Sequence, residues 1–153
     1  MSDSTVLVTG GTGFIGSYVA KDLVEHGHDV VAFDLSTDER ILEKVGVAED
    51  VETRRGDVSD PTDVVSAVAD TGTTHIVHLA ALLTNTAEEH PRAALNVNVE
   101  GTSNVFEAAR TLDDQVERVA WASSAAIYAP PHHYDDGGDW WVTEDDLTYP
   151  DTL

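Results

Sequence analysis

Five short runs rich in β-branched residues alternate with longer amphipathic stretches, and this alternation limits the folds open to the chain more than any other feature. Strands separated by helices of this length form right-handed βαβ units. The pattern therefore predicts a doubly wound α/β domain, in which helices cover both faces of one parallel sheet. The predicted buried strands are Val6–Thr9, Val30–Phe33, Val51–Thr53, Ile76–Leu79 and Val116–Ala122.

Three of the amphipathic stretches carry clear helix signals. Ile15, Val19 and Leu23 recur at helical spacing. Asp60 is a suitable N-cap residue, and Pro61 follows at the first helical position, where proline is favoured. The predicted helices run from near residue 15 to a C-cap at Gly27, from 61 to near 69, and from 91 to about 112.

The composition is that of one folded domain. The 153 residues include 41% hydrophobic residues, enough for a sizeable core. No apolar run approaches the roughly 20 residues of a membrane helix, and the N-terminus does not read as a secretion signal, so a cytoplasmic location is expected. Because the chain has no cysteine, disulfides and thiolate chemistry are excluded.

The charge is strongly negative, with 29 Asp and Glu against 8 Lys and Arg and a net charge of -21. Nucleic acid is therefore not expected as a partner, and only Arg54 and Arg55 are adjacent cations. The acids are spread along the whole chain, as in proteins of salt-accumulating halophiles. Since salt screens self-repulsion, we expect salt-dependent folding, and a merely acidic mesophilic protein is the alternative.

The segment from Thr9 to Gly16 reads TGGTGFIG and joins the first predicted strand to the first predicted helix. Gly10 allows a tight turn, Gly13 lets the backbone approach a pyrophosphate, and Gly16 lets helix and strand pack closely. The helix N-terminus adds N–H groups and the positive end of a dipole. No Gly-Lys-Ser/Thr follows, which excludes an ATP-type loop and favours a dinucleotide.

Asp34 ends the second predicted strand, 18 residues after Gly16. A carboxylate there accepts hydrogen bonds from the adenosine ribose and repels a 2′-phosphate. The sequence therefore favours NAD over NADP as cofactor, with Arg40 as the one nearby cation that could reverse this preference. The alternative is a glycine turn that merely joins strand to helix, followed by an aspartate that merely ends a strand.

Five motifs occur in an order that resembles the extended short-chain dehydrogenase/reductase family, specifically its NAD-dependent sugar epimerase and dehydratase branch. The resemblance covers almost the whole chain and implies a Rossmann fold. It also implies an NAD-binding domain over residues 1–129 and a loop over residues 130–153 that leads toward a catalytic helix. The motifs are TGGTGFIGS, Gly56-Asp57-Val58, His78-Leu79-Ala80-Ala81, Asn98-Val99-Glu100-Gly101-Thr102 and Ser123-Ser124-Ala125-Ala126-Ile127-Tyr128.

The resemblance also implies roles for residues near the carboxyl ends of the strands. Ser124 would be the catalytic hydroxyl, and Asn98 would support the turn after the fourth strand. Adenine would be held by residues 57 and 58, and the nicotinamide half would lie beside residues 79–81. The predicted cofactor-binding set is Gly10, Gly13, Phe14, Ile15, Gly16, Asp34, Leu35, Asp57, Val58, Leu79, Ala80, Ala81, Asn98 and Ser123.

Several of these residues also have a plainer interpretation. Asp57 could simply cap a turn, and Asn98 could be a helix residue bonded to a neighbouring loop. Ser123 and Ser124 could be ordinary hydroxyls at a strand end. His78 stands in an apolar run, which favours a core histidine with satisfied hydrogen bonds over an acid or base.

The stretch PPHHYDDGGDWW, which begins at Pro130, is rich in Pro, Gly, His and Asp. His132 and His133 lie close to several aspartates, but adjacent histidines do not share a helical face. A solvated loop is therefore favoured over a metal centre, and no metal site is predicted. Trp140 and Trp141 could close over a pocket or dock on another part of the protein.

In the resembled family a tyrosinate is the catalytic base, and a lysine four residues later lowers the pKa of that tyrosine. Tyr149 has Leu153 at this spacing, and no lysine occurs beyond Lys44. We therefore expect the cofactor-binding portion of an NAD-dependent nucleotide-sugar epimerase/dehydratase-type oxidoreductase, inactive alone, with the catalytic helix lying beyond this sequence. The alternative is a non-catalytic dinucleotide-binding module.

The complete enzyme is expected to act on a nucleotide sugar or another small polar substrate. In the resembled family the helix predicted over residues 91–112 is one of two through which many members dimerise, so a homodimer through it is possible, but the sequence leaves the oligomeric state open. Neither the particular substrate nor the choice between epimerase, dehydratase and dehydrogenase follows from the sequence.

Overall fold

The computed structural model describes residues 4–128, 143–146 and 148. The chain divides into two compact units, Met1–Trp121 and Ala122–Leu153. The strands of the first unit are β1 (Thr5–Thr9), β2 (Asp29–Asp34), β3 (Val51–Arg55), β4 (His75–His78) and β5 (Arg118–Trp121). Its helices are α1 (Phe14–Glu25), α2 (Arg40–Val45), α3 (Pro61–Asp70), α4 (Thr84–Glu89), α5 (Pro91–Ala94), a π-helical segment (Leu95–Glu100) and α6 (Gly101–Thr111).

The described strands form one parallel sheet in the order β3-β2-β1-β4-β5, which confirms the predicted doubly wound architecture. From β1 the chain moves outward through β2 and β3, then crosses to the other side for β4 and β5. The register aligns the ends of the central strands, because Thr9 pairs with Phe33 of β2 and with His78 of β4. The reversal of direction creates a crevice at the carboxyl ends of β1 and β4, where ligands of such sheets bind.

Alternate residues of the central strands enter two separate cores, one on each face of the sheet. Leu7 and Phe33 pack with residues of α3 and α6, including Val64 and Val105. Each of these four side chains is at most 1% exposed. On the other face Val6, Val8, Val30 and Ala32 pack with Ala20 of α1 and Leu42 of α2. Burial of each of the large apolar side chains contributes about 1.5–3 kcal/mol to the stability of the fold. Packing on both faces of the sheet therefore fixes the carboxyl ends of the strands, where the crevice lies.

The fifth predicted strand is present, but the prediction that it is buried is wrong. In β5 Arg118, Ala120 and Trp121 are exposed, and Val119 is only partly buried. The reason is its place in the sheet: in the described part of the chain β5 is an edge strand that pairs with β4 alone. Phe106 of α6 covers part of Trp121, with a ring-centre distance of 5.2 Å and an edge-on geometry.

The helix signals near residues 15 and 61 are confirmed. Asp60 caps α3 through Oδ1, which accepts a hydrogen bond from the backbone N–H of Thr62 at 2.8 Å. The predicted helix over 91–112 is interrupted by the π-helical segment, and α2 and α4, each six residues long, were not predicted. No helix in the described ranges is long and apolar enough to cross a membrane.

The second unit contains a short 3-10 helix, Ala125–Ile127, and an antiparallel bridge between Tyr128 and Thr148. Within it Asp146 Oδ2 accepts hydrogen bonds from the backbone N–H and the hydroxyl of Thr143, at 2.7 and 3.0 Å. Most of the predicted loop lies outside the described residues, and so do His132, His133, Trp140, Trp141 and Tyr149.

Candidate functional site

The turn between β1 and α1 has no room for side chains at two of its glycines. A Cβ atom on Gly16 would lie 2.1 Å from the carbonyl oxygen of Gly10, and one on Gly11 would lie 2.6 Å from Cα of Ala32. Gly10 has a φ of +69°, which favours glycine. Its N–H donates to the carbonyl of Phe33 at 2.9 Å, so the turn is fastened to the end of β2.

The start of α1 is open to an anion. Its N-cap is Gly13, which has no capping side chain, and the first turn contains no acidic residue. The positive end of the helix dipole and the first backbone N–H groups are thus left for a bound negative group. Phe14 and Ile15, the first two helical residues, are 69% and 64% exposed instead of packing in the core.

Asp34 lies directly beside this turn. Its Oδ2 accepts a hydrogen bond from the backbone N–H of Thr12 at 3.3 Å, and its Oδ1 accepts a long one, 3.5 Å, from Ser36. The Thr12 hydroxyl donates to the carbonyl of Ser36 at 3.1 Å. The carboxylate is only partly buried, and Leu35 after it is 57% exposed. A carboxylate has about four acceptor positions, so Asp34 retains capacity for ligand hydroxyls.

At the end of β3 the Asp57 side chain does cap a turn. Its Oδ1 accepts from the N–H and the hydroxyl of Ser59 at 2.8 and 2.7 Å, and its own N–H donates to Asp63 at 2.9 Å. The Val58 side chain is buried in the core, 6% exposed. Contacts from Val58 to a ligand would therefore come from its backbone.

A hydrogen-bond network behind the end of β4 begins at the Thr9 hydroxyl. Thr9 Oγ1 accepts from the backbone N–H groups of Leu79 and Ala80, both at 3.1 Å, and lies 2.7 Å from Nδ1 of His78. Thr9 is 0% exposed and His78 is 5% exposed. Because both lone pairs of the hydroxyl oxygen are used, its proton must be donated to Nδ1.

This direction assigns the neutral tautomer of His78 that carries its proton on Nε2. Nε2 lies 3.0 Å from Oγ1 of Thr102, whose hydroxyl donates to the carbonyl of Asn98 at 2.7 Å. Burial lowers the pKa of His78 below its usual value, which also favours the neutral ring. The prediction of a core histidine with satisfied hydrogen bonds is confirmed.

Asn98 joins the π-helical segment to the turn after β4. Its Oδ1 accepts from the N–H of Leu82 at 2.8 Å, and its Nδ2 donates to the carbonyl of Leu82 at 3.0 Å. This two-way pairing holds the segment that follows Leu79, Ala80 and Ala81. A π-helical turn inside an α-helix often marks a functional site, since it shifts the side chains that follow it.

The glycine turn, Asp34 and the turn after β4 all lie at the carboxyl ends of the central strands. A Cβ on Gly10 would lie 3.0 Å from the backbone nitrogen of Ala80, so the two turns are in close contact. Ser123 and Ser124 belong to the second unit, where both are exposed and the Ser124 carbonyl accepts from Ile127 N at 3.3 Å. Among the described residues no cluster of His, Asp and Glu could hold a metal ion.

The sequence reasoning missed three threonines that organise this edge, Thr9, Thr12 and Thr102. Thr9 and Thr12 carried a signal, because they stand inside the glycine motif. The third stands four residues after Asn98, which puts both on one helix face, but which strand that face meets depends on the fold.

A doubly wound parallel sheet with a glycine turn at its first helix and a carboxylate ending its second strand defines a dinucleotide-binding domain. The family model described as the NAD dependent epimerase/dehydratase family matches residues 6–150. The chain belongs to that family, which confirms the resemblance drawn from the motifs.

Among curated relatives, the 3-beta-hydroxysteroid dehydrogenase of Mycolicibacterium neoaurum is 34% identical over 127 residues, covering 80% of this chain and 32% of the relative. The solved UDP-glucose 4-epimerase of Thermus thermophilus in complex with NAD has a TM-score of 0.79 at 34% identity. The UDP-glucose-4-epimerase from Stenotrophomonas maltophila with bound NAD and formylated UDP-arabinopyranose has a TM-score of 0.80 at 26% identity. Each structural match covers 95% of this chain and 44% or 43% of the solved chain. The chain thus spans about a third of the curated relative and less than half of either solved chain.

Proposed function

We propose that this chain binds NAD at the carboxyl edge of its sheet, as the cofactor-binding portion of a nucleotide-sugar epimerase/dehydratase-type oxidoreductase. The observation that carries the proposal is the 3.3 Å hydrogen bond from the Thr12 N–H to Oδ2 of Asp34. It holds a carboxylate suited to ribose hydroxyls against a glycine turn suited to a pyrophosphate.

The residues of the glycine turn fit a pyrophosphate. In the proposal Gly10, Gly13 and Gly16 keep the backbone bare, and the N–H groups at the start of α1, including those of Phe14 and Ile15, bind the phosphate oxygens. The dipole of this 12-residue helix attracts the anion locally, despite the negative charge of the whole chain.

The adenosine half of NAD is proposed to lie along the ends of β2 and β3. Asp34 accepts hydrogen bonds from the ribose hydroxyls, and the exposed Leu35 covers one side of the adenosine. Asp57 and Val58 hold the adenine. Asp57 is engaged through Oδ1, its N–H and its carbonyl, and the Val58 carbonyl accepts a hydrogen bond from Asn104. The Val58 N–H and Oδ2 of Asp57 are therefore the natural contacts for adenine.

The nicotinamide half is proposed to lie beside Leu79, Ala80 and Ala81. When bound, NAD supplies a ring carbon that accepts or returns hydride. The contribution of this chain is to position that ring: Thr9 holds the backbone of the turn, and Asn98 fixes its far end through Leu82.

Ser124 is proposed to orient a substrate hydroxyl, with Ser123 next to the cofactor. A tyrosine with an unperturbed pKa near 10 needs a neighbouring cation to act as a base near neutrality. The sequence contains no Tyr-x-x-x-Lys, and its last lysine is Lys44. We therefore expect NAD binding without turnover by this chain alone, which leaves a non-catalytic dinucleotide-binding module as the second candidate.

A nucleotide sugar is the proposed substrate of the whole enzyme. The support is the Stenotrophomonas epimerase, which is similar over 95% of this chain and is bound to a formylated UDP-arabinopyranose. A hydroxysteroid is the competing substrate class, because a 3-beta-hydroxysteroid dehydrogenase is 34% identical over 127 residues. Turnover of one class and not the other by a complete enzyme that contains this chain would decide between them.

We further propose a cytoplasmic, salt-adapted homodimer. The charge of -21 supports salt adaptation. Leu95, Val99 and Phe106, which are 60%, 57% and 39% exposed, support an interface along the π-helical segment and α6.

NAD binding is tested by calorimetric titration of the full 153-residue chain and of Asp34→Asn, which removes the charge and keeps the shape. We expect binding by the parent chain and roughly tenfold or greater weakening in the variant, because hydrogen bonds to a charged acceptor are lost. Asp29→Asn is the matched control, since Asp29 begins the same strand at the opposite sheet edge. Absence of NAD binding by the parent chain, or equal weakening by both variants, would contradict the proposal.

A further inference from the structure

An open depression of about 400 Å³ lies between the glycine turn, the loop after β2 and α2. Two of its lining residues contact Asp34: Thr12 and Ser36 donate their backbone N–H groups to its carboxylate. In the proposed binding mode, the 2′ position of a ribose held by Asp34 therefore lies next to this depression. It is lined by Thr12, Ser36, Asp38, Arg40, Ile41 and Lys44.

Two cations line this depression, although the whole chain has only 8 Lys and Arg. Judged by Arg40 and Lys44 alone, the depression would suit a phosphate on the ribose 2′ oxygen. The guanidinium of Arg40 is engaged, however. Its Nε lies 2.9 and 2.8 Å from Oδ1 and Oδ2 of Asp38, and its Nη2 lies 2.5 Å from Oδ2.

The position of Asp38 is set by backbone contacts as well. Its Oδ1 accepts from the backbone N–H of Arg40, and its own N–H donates to the Ser36 hydroxyl, both at 3.2 Å. The pairing lowers the pKa of Asp38 and raises the pKa of Arg40, so both stay charged near neutrality. The Arg40 side chain is 84% exposed, and exposed pairs add little stability, so Asp38 can be replaced without loss of the fold.

We propose that Asp38 reinforces the preference for NAD that Asp34 sets, by occupying the Arg40 guanidinium that would otherwise bind a 2′-phosphate. The inference rests on the proposed dinucleotide binding. A 2′-phosphate entering the depression would have to displace the Asp38 carboxylate and would then lie beside both Asp38 and Asp34. NAD, which has a hydroxyl at that position, meets neither repulsion.

The test measures the Kd of NAD and of NADP for the full chain by calorimetry, at one KCl concentration at which all variants are folded. The 2′,5′-ADP and 5′-AMP pair serves as a second probe of the same position. The variants are Asp38→Ser, Arg40→Gln, the double variant, and Glu43→Ser as the matched loss of a neighbouring acid. Glu43 lies on the same helix as Arg40, is exposed and does not line the depression.

We expect Asp38→Ser to strengthen NADP binding about tenfold and to leave the Kd of NAD nearly unchanged, because Arg40 then forms charged hydrogen bonds with the phosphate. The double variant should lose this gain, and Glu43→Ser should not produce it. An NADP-to-NAD ratio in Asp38→Ser equal to that of Glu43→Ser, or a gain that survives in the double variant, would overturn the inference while NAD binding stands. If the parent chain binds neither cofactor, the proposed function itself fails, and this inference fails with it.

Discussion

At the scale of single residues, burial keeps His78 neutral, and the Thr9 hydroxyl sets which ring nitrogen carries its proton. If His78 took a second proton, Nδ1–H would face an oxygen that already accepts two backbone N–H groups. A positive charge would also be buried where only 5% of the residue is exposed. Both effects hold the ring neutral and keep the turn after β4 in place.

The stability of the fold should therefore fall as His78 is protonated. Its pKa is lowered in the folded protein from about 6.5, so the unfolded chain binds the proton more readily. The contribution of His78 is then fully present above about pH 6.5 and is lost as pH falls through its lower folded value. We expect the free energy of unfolding of the parent chain, relative to His78→Gln, to decrease between about pH 7 and pH 5.

The comparison with His78→Gln at each pH removes the effect of the many carboxylates. His26→Gln is the contrasting control, because hydrogen bonding to the Asp22 backbone raises the pKa of the exposed His26. The contribution of His26 to the stability of the fold therefore has the opposite pH dependence, because it is present at low pH and is lost as pH rises. A pH dependence identical in the parent chain and His78→Gln would refute the lowered pKa of His78.

Single residues also mark how far the site could be predicted. The glycine spacing predicted a turn whose backbone can approach a pyrophosphate, and the position of Asp34 at a strand end predicted its role. Both predictions were possible because they depend only on neighbours along the chain. Asp38 could not be predicted, since which carboxylate pairs with Arg40 depends on how the loop after β2 folds. The partners in the network that joins Thr9, His78, Thr102 and Asn98 were likewise hidden, because its members are up to 93 positions apart.

At the scale of elements, the π-helical segment holds the loop after β4 through the side chain of Asn98. Its amide is hydrogen-bonded to both backbone groups of Leu82, so the interruption of the helix coincides with the point that holds the loop after β4. The Thr102 hydroxyl then connects the same helix to His78.

We expect Asn98→Ala to lower the free energy of unfolding by about 1–3 kcal/mol, because Leu82 loses two partners in a partly buried place. Asn96→Ala is the matched control in the same segment, and since Asn96 is exposed its effect should stay within about 0.5 kcal/mol. Chemical denaturation gives the free energies, and hydrogen exchange at the Leu82 amide gives the local effect. Equal protection of that amide in both variants would show that the pairing does not hold the turn.

The strands were predictable because their apolar runs are long enough to be read without knowledge of their neighbours. The exposure of β5 could not be predicted, because the position of a strand at the edge of the sheet depends on the fold. The Val and Trp residues of β5 look like those of a buried strand. The six-residue helices α2 and α4 span fewer than two turns, too few for a helical period to be recognised. The π-helical turn has no periodic signature at all.

At the scale of the whole molecule, the excess of acidic residues exceeds what ion pairs can neutralise. Among the described residues the Lys and Arg ion pairs join Lys21 to Glu25, Arg40 to Asp38, Arg54 to Asp70 and Arg110 to Glu107. All four involve exposed carboxylates, so each adds little stability. Repulsion within the net charge of -21 is therefore the dominant electrostatic effect in dilute buffer.

We expect the Tm to rise by roughly 5–10 °C or more between about 0.1 M and 2 M KCl, because the Debye length falls to a few ångströms. Thermal unfolding followed by circular dichroism measures this shift. Sucrose at matched osmolality is the control, since it favours compact states without screening charge. A Tm that rises equally in sucrose and KCl, or rises in neither, would remove charge screening as the cause.

The bond between Thr12 and Asp34 has a consequence for the energetics of association. It links the first and second crossovers of the sheet through contacts of the chain itself, so the glycine turn and the end of β2 hold each other in place. A nucleotide that binds where the glycine turn and the end of β2 are already joined loses less binding free energy to the ordering of these loops. The affinity of these strand ends for a nucleotide then depends on the quality of the contacts and little on conformational adaptation.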